Sequence, residues 1–121
     1  MPGKRHHLFV CHTNMDRSPT AEAVCQLIAH DHHLGIEANS AGIAHHADQP
    51  VTQEMADLAD MIFVMAPRMI TEMVEVYGQD RDKIVCLDIP DAYFQNAPDL
   101  VDLLEKKLRS HLVREGLIET T

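Results

Sequence analysis

A short apolar run, a polar loop and an amphipathic helix follow one another between Leu8 and Ile28. The run Leu8-Phe9-Val10 ends on a β-branched residue and predicts a buried strand. Pro19 suits the first turn of a helix. The apolar positions after it recur at helical spacing, and they are Ala21, Val24, Leu27 and Ile28. The sequence therefore predicts a loop that joins the end of a strand to the N-terminus of a helix.

The loop from Cys11 to Arg17 combines a thiol and a guanidinium at such a junction. Backbone N–H groups at a helix N-terminus lack intrahelical partners and the helix macrodipole is positive there, so the loop can wrap a phosphate dianion. The same field favours a thiolate over a thiol, which makes Cys11 a candidate nucleophile. Arg17 can bind two phosphate oxygens in a fork.

Residues 10–22 read Val-Cys-His-Thr-Asn-Met-Asp-Arg-Ser-Pro-Thr-Ala-Glu. This stretch resembles the signature of the low-molecular-weight protein tyrosine phosphatase family, Val-Cys-x-x-Asn-x-x-Arg-Ser-Pro-x-Ala-Glu. The resemblance implies that Cys11 attacks phosphorus, that Arg17 holds the phosphoryl group and that Ser18 supports the thiolate. The loop residues expected at the phosphate are His12, Thr13, Asn14, Met15, Asp16 and Arg17.

The family also uses a general acid from an Asp-Pro-Tyr motif that follows a strand. Here Lys-Ile-Val-Cys-Leu at 83–87 predicts the strand, and Asp-Ile-Pro-Asp-Ala-Tyr follows at 88–93. The resemblance assigns Asp91 as the acid, with Tyr93 at the substrate and Ala92 where the family has proline; Asp88 is the alternative acid. Asp91 would protonate the leaving oxygen and then activate the water that hydrolyses a phosphocysteine.

A third motif, Asn-Ser-Ala-Gly at 39–42, resembles the family's Ser-Ala-Gly element at the end of the second strand. By this resemblance Ser40 hydrogen-bonds Asn14, which holds the shape of the phosphate loop. Together the three motifs span residues 8–94 in the family's order.

Two features depart from the family pattern. Only eighteen residues separate Gly42 from Met61, where full-length members carry a longer segment that lines the pocket rim. The short form resembles a compact branch of the family. The tail of that branch reads Ile-Pro-Asp-x-Tyr, which residues 89–93 match here, and then Pro-(Asp/Glu)-Leu-Val, which residues 98–101 match. The second departure is Asp16, which stands where many members have a second cysteine. Its carboxylate is expected to oppose a thiolate in the loop.

Composition limits the class of protein. A chain of 121 residues, 45% hydrophobic and 24% charged, predicts one globular domain over residues 1–121, as a monomer or weak dimer. Net charge −9 with scattered cations argues against nucleic-acid partners, and the apolar runs are too short to span a membrane. Three cysteines predict no disulfide framework, Cys25 and Cys86 are expected in the core, and the cytoplasm is the expected location.

Nine histidines raise the question of a metal site. Adjacent histidines on a strand point to opposite faces, and no Cys-x-x-Cys or His-Glu-x-x-His spacing accompanies them. The sequence predicts neither a metal nor a cofactor.

Alternating apolar strands and amphipathic helices predict an α/β fold. Right-handed crossovers then give a three-layer αβα arrangement with a four-stranded parallel sheet in the order 2-1-3-4. The short second helix is expected to bury Val51, Met55 and Leu58. The predicted strands are 6–10, 36–41, 61–65 and 84–87. The predicted helices are 18–30, 51–59, one from Pro67 to a stop at Gly78 and one from Pro98 to a stop at Gly116.

Three functions are consistent with these residues. The first is a cysteine-dependent phosphomonoesterase acting on phosphotyrosine or a small aryl phosphate, so its partner would be a phosphorylated protein or a small phosphomonoester. The second is an arsenate reductase of the same fold, which would need a relay of paired cysteines downstream. The third is a non-catalytic phosphate-binding or phosphocysteine carrier module, which would not need Asp91.

Overall fold

A four-stranded parallel sheet forms the centre of the molecule. The computed structural model describes residues 5–12, 17–44, 46–90 and 92–118. The strands are β1 (Arg5–Cys11), β2 (Ile36–Gly42), β3 (Met61–Val64) and β4 (Ile84–Cys86). Their order is β2-β1-β3-β4, with Val10 paired to Ala41 on one side and Val64 on the other, and Val64 in turn paired to Cys86. The predicted fold class and strand order are confirmed.

The helices cover both faces of this sheet. They are α1 (Arg17–Asp31), α2 (Gln53–Leu58), α3 (Pro67–Glu75) and α4 (Pro98–Arg114), with a 3₁₀ turn at Arg81–Lys83. Helices α1 and α4 pack against each other on one face. Right-handed crossovers place α2 and α3 on the other. No helix in the described part of the chain has the length and apolarity needed to cross a membrane.

The two central strands are buried because helices cover them from both sides. All four residues of β3 are buried, as the unbroken apolar run predicts for a strand inside a parallel sheet. Phe9 of β1 and Phe63 of β3 stack with ring centroids 4.9 Å apart, and both are fully buried. This rigid centre fixes the position of Cys11 at the end of β1.

Helix ends follow the local chemistry of the chain. Thr52 caps α2 by accepting a hydrogen bond from the Met55 backbone N–H, so α2 begins at residue 53 and not at 51 as predicted. Pro67 and Pro98 occupy the first positions of α3 and α4. Gly116 has a φ of 76°, a conformation that suits glycine and ends α4 as predicted.

Burial differs from what the apolar pattern suggests at several positions. Leu58 at the end of α2, expected to be buried, is 58% exposed, and Leu27 on α1 is 64% exposed. Cys86, expected in the core, is half-buried because β4 is an edge strand with no described strand on its outer side. Cys25 is buried as expected.

Near the start of β1, His7 lies close to polar side chains from β1, α1 and α4. His7 is 1% exposed, accepts a hydrogen bond from Arg5 Nε at 3.2 Å, and places Nδ1 3.9 Å from Cys25 Sγ. Burial and the neighbouring Arg5 charge lower the pKa of His7 to about 4. Burial also lowers the pKa of His111, which packs against Phe63 beside it, and raises that of Cys25 to about 12. His7 is therefore neutral in the folded protein, and Cys25 remains a thiol.

Candidate active site

The predicted catalytic residues lie at the carboxyl edge of the sheet. Cys11 is the last residue of β1, and Arg17 and Ser18 are the first two residues of α1. Strand β1 has β2 on one side and β3 on its other side. The connection that follows β1 runs to β2, so the chain turns away from β3 at this point. In open α/β folds this divergence creates the crevice in which ligands bind. The N-terminal N–H groups of α1 open toward the same crevice.

Cys11 and Ser18 are in direct contact. Cys11 Sγ lies 2.9 Å from Ser18 Oγ, and both side chains are buried. The Ser18 hydroxyl also lies 3.4 Å from the Ala41 carbonyl oxygen, a longer and weaker contact. A hydroxyl has one proton to donate, so a thiolate at Cys11 is the preferred acceptor by both distance and charge.

Arg17 is the last residue of the predicted phosphate loop, residues 11–17, and its side chain contacts a second loop. Its guanidinium is buried, and Nη1 donates to the Ile89 carbonyl oxygen at 2.8 Å. A guanidinium carries five N–H groups, and this bond uses one of them to orient the side chain. We call residues 87–97, which follow β4 and include the predicted acid, the acid loop.

The acid loop has a second attachment to α1. Thr20 is fully buried, and its hydroxyl accepts a hydrogen bond from the Asn96 N–H at 2.9 Å. Ile89 N–H donates to the Met65 carbonyl just beyond β3. Asp88 has a φ of 53°, a left-handed conformation that turns the chain out of β4 and into the loop. Tyr93 is half-buried and packs against the core.

The segment after β2 supports the start of the phosphate loop. Ile43 and Ala44 donate their N–H groups to the carbonyls of Cys11 and His12, at 3.0 and 2.9 Å. Ser40 is buried, and its carbonyl accepts from the Gln49 side-chain amide at 2.6 Å. His12 is exposed, and its ring stands 6.3 Å from that of His46.

The structure thus brings together Cys11, Arg17 and Ser18, with Ser40 buried at the end of the neighbouring strand. Asp88, the alternative acid, is exposed and lines a groove between β4 and α4. Five predicted site residues lie outside the described residues, and they are Thr13, Asn14, Met15, Asp16 and Asp91. The predicted contact between Ser40 and Asn14 therefore stays a prediction.

Sequence reasoning did not identify Thr20 as part of the site. Thr20 lies three positions after Arg17, so both occupy one side of α1 and both reach the acid loop. The available signal was a threonine three positions after Arg17 on the predicted helix.

The other two thiols lie away from Cys11. Cys86 pairs with Val64, which pairs with Val10, so two strand spacings, about 10 Å, separate Cys86 from the end of β1. A disulfide needs Cα atoms within about 7 Å. Cys25 is buried beside His7. In the described residues, no three His, Cys, Asp or Glu side chains are grouped so as to hold a metal ion.

Comparison with known proteins shows that this chain is similar to phosphatases. Residues 6–59 match the model of the low molecular weight phosphotyrosine protein phosphatases. A protein-arginine-phosphatase of Bacillus subtilis is 28% identical over 102 residues, a match that covers 66% of this chain and 68% of that protein.

Solved structures share the fold over most of their length. YfkJ from Bacillus subtilis superposes with a TM-score of 0.78 at 22% identity, covering 94% of this chain and 98% of that one. A protein tyrosine phosphatase from Entamoeba histolytica gives 0.75 at 24% identity, covering 95% and 100%. The tyrosine phosphatase Wzb from Escherichia coli K30, in complex with phosphate, gives 0.74 at 20% identity, covering 92% and 98%.

Proposed function

We propose that this chain is a cysteine-based phosphatase of the low-molecular-weight phosphotyrosine protein phosphatase family, and that it hydrolyses phosphotyrosine or a small aryl phosphate through a phosphocysteine. The observation that carries this proposal is the contact of Cys11 Sγ with Ser18 Oγ at the N-terminus of α1, next to the buried Arg17. A nucleophile, a donor to that nucleophile and a phosphate-binding cation meet there.

In the first step the Cys11 thiolate attacks phosphorus, and the bond between phosphorus and the leaving oxygen breaks. Arg17 and the N–H groups at the start of α1 bind the non-bridging oxygens, where negative charge must be held in place during transfer. Asp91 donates its proton to the leaving oxygen, so a neutral phenol departs and phosphocysteine remains.

In the second step a water molecule attacks phosphorus and the phosphorus–sulfur bond breaks. Asp91, now a carboxylate, accepts the proton of that water. The Ser18 hydroxyl donates to the sulfur as it regains negative charge. Inorganic phosphate leaves, and Cys11 returns to the thiolate. A thiolate and a protonated aspartic acid must coexist in the first step, so we expect a rate optimum at mildly acidic pH.

Phosphoarginine is a second candidate substrate because the Bacillus subtilis relative is a protein-arginine-phosphatase. The same thiolate would attack phosphorus, and the leaving nitrogen would take the proton of Asp91. Turnover of one peptide sequence carrying either phosphotyrosine or phosphoarginine decides between the two. If kcat/KM is higher for the phosphoarginine peptide than for the phosphotyrosine peptide, phosphoarginine is the substrate and the aryl phosphate is not.

Two alternatives are less consistent with the site. A reductase relay needs a second thiol within reach of Cys11, and the strand register keeps Cys86 about 10 Å away. A phosphocysteine carrier would not need an acid, so Asp91→Asn separates it from an enzyme. We expect this variant to lose turnover, whereas a carrier would be phosphorylated as before.

The test of the proposal is hydrolysis of p-nitrophenyl phosphate between about pH 5 and pH 8. We expect turnover by the native chain, competition by vanadate, and loss of turnover in Cys11→Ser with phosphate binding retained. Substantial turnover by Cys11→Ser would contradict the covalent mechanism. We place this activity in the cytoplasm, where the nucleophilic thiol would stay reduced.

A further inference from the structure

The groove between β4 and α4 brings several positively charged side chains together. It has a volume of about 430 Å³ and is bounded by residues 85–88 on one side. The α4 side presents Lys106, Lys107 and Arg114, together with Leu103 and Ser110. Three of the ten lysines and arginines of a chain with net charge −9 therefore face one groove.

Two of these cations have no internal role. Lys106 and Arg114 are exposed, and neither forms a hydrogen bond or ion pair with any described residue. Lys107 differs, because its Nζ donates to the carbonyls of Leu87 and Asp88. Lys107 thus fixes the wall of the groove, whereas Lys106 and Arg114 are available to a ligand. Asp88 is the one carboxylate among the lining residues.

The groove begins beside the catalytic crevice. Lys107 holds residues 87 and 88, and Arg17 holds Ile89, the next residue. Two strand spacings, about 10 Å, separate the ends of β1 and β4. An extended peptide covers this distance in about three residues. Lys106 and Arg114 are eight positions apart, about 12 Å along the helix, which matches about four further residues.

The second wall of the groove is an edge strand. No described strand pairs with the outer side of β4, so no neighbouring strand closes the groove there. A positively charged groove of this length beside a strand edge suits a polypeptide with a run of aspartates or glutamates. The rest of the protein surface carries net negative charge and repels such a peptide, so attraction is confined to the groove.

We propose that this groove binds an acidic, extended segment of the phosphorylated protein substrate, with Lys106 and Arg114 contacting its carboxylates. The inference rests on the proposed phosphatase function and adds a substrate class to it. The acidic run begins about three residues from the phosphorylated residue and extends over about four.

The experiment compares phosphotyrosine peptides that carry four glutamates or four glutamines beyond a three-residue spacer, on either side of the phosphotyrosine. At low salt we expect one glutamate peptide to have about tenfold higher kcat/KM than its glutamine partner, mainly through KM. High salt should remove the difference. The double variant Lys106→Gln/Arg114→Gln should remove it as well, and each single variant should reduce it. Hydrolysis of p-nitrophenyl phosphate should not change.

Arg109→Gln is the matched control. Arg109 lies on the same helix but is bonded to Glu105 and faces α1 near His32, so its loss should leave the peptide preference unchanged. Equal kcat/KM for the glutamate and glutamine peptides in the native chain, or a preference that survives in the double variant, would overturn the inference. A native chain inactive on p-nitrophenyl phosphate would instead refute the phosphatase proposal, and the inference with it.

Discussion

The side chain of Ser18 is in direct contact with the sulfur of Cys11. A hydrogen bond to a charged group contributes about 1.5–3 kcal/mol, and this one is present whenever the sulfur is a thiolate, both before attack and after release. We therefore expect Ser18→Ala to lower kcat for p-nitrophenyl phosphate by about 10- to 100-fold.

The same variant should react more slowly with iodoacetate at neutral pH, because the reactive sulfur would lose the hydrogen bond from the Ser18 hydroxyl. Ser110→Ala, on the exposed side of α4, is the control and should match the native chain in both assays. Native kcat in Ser18→Ala would show that the 2.9 Å contact is structural only.

At the scale of elements, the acid loop depends on α1 as well as on β4. The bond from Asn96 N–H to Thr20 Oγ1 is buried at its acceptor, so Thr20→Val keeps the side-chain shape but leaves the N–H without this partner. We expect a loss of about 1–2 kcal/mol in the free energy of unfolding and looser placement of the loop that carries Asp91.

Loop placement can be measured separately from stability. p-Nitrophenol is a good leaving group and needs little protonation, whereas phenol needs more. Thr20→Val should therefore lower turnover of phenyl phosphate more than turnover of p-nitrophenyl phosphate. Thr71→Val, at an exposed position of α3, should leave the ratio of the two rates unchanged. An unchanged ratio in Thr20→Val would mean that the Asn96 contact does not position the acid.

These elements also show what the chain sequence could and could not predict. Strand β1 and helix α1 are local elements, so the apolar run, Pro19 and the helical spacing of the apolar residues were enough to predict them. The predicted burial of Leu58 was wrong because periodicity identifies an apolar residue but not whether a neighbour covers it.

The attachments of the acid loop could not be predicted at all. Arg17 meets Ile89 across 72 positions of the sequence, and Thr20 meets Asn96 across 76. Such pairs depend on how α1 lies against the end of β4, which no local pattern contains. The role of Asp91 and the span of the domain stay predictions.

For the whole molecule, the buried His7 makes stability depend on pH. Its pKa is about 4 in the folded protein and 6.5 in an unfolded chain, so between these values the unfolded state binds the proton and the folded state does not. The contribution of neutral His7 is complete above pH 6.5 and falls as the pH approaches 4. We expect the free energy of unfolding to drop by about 2 kcal/mol between pH 7 and pH 5 from this group.

Urea unfolding of the native chain and of His7→Phe at both pH values measures this effect. The variant should show a smaller drop, and His111, whose pKa is also lowered, should account for part of what remains. His46→Gln, in an exposed loop, should lose as much stability as the native chain. Equal drops in the native chain and His7→Phe would exclude His7 as the cause. The acidic rate optimum expected of the enzyme lies in the range where its fold becomes less stable.

The bond between Arg17 and the Ile89 carbonyl couples two equilibria that would otherwise be independent. If Arg17 binds an anion as we propose, that anion would immobilise the guanidinium and restrict the backbone at Ile89, so part of the conformational entropy of the acid loop would be lost on binding and not during chemistry. Linkage is reciprocal: any change that orders the loop strengthens anion binding by the same free energy. Product phosphate would therefore dissociate faster when the acid loop is more mobile. Turnover would be fastest at an intermediate mobility of that loop.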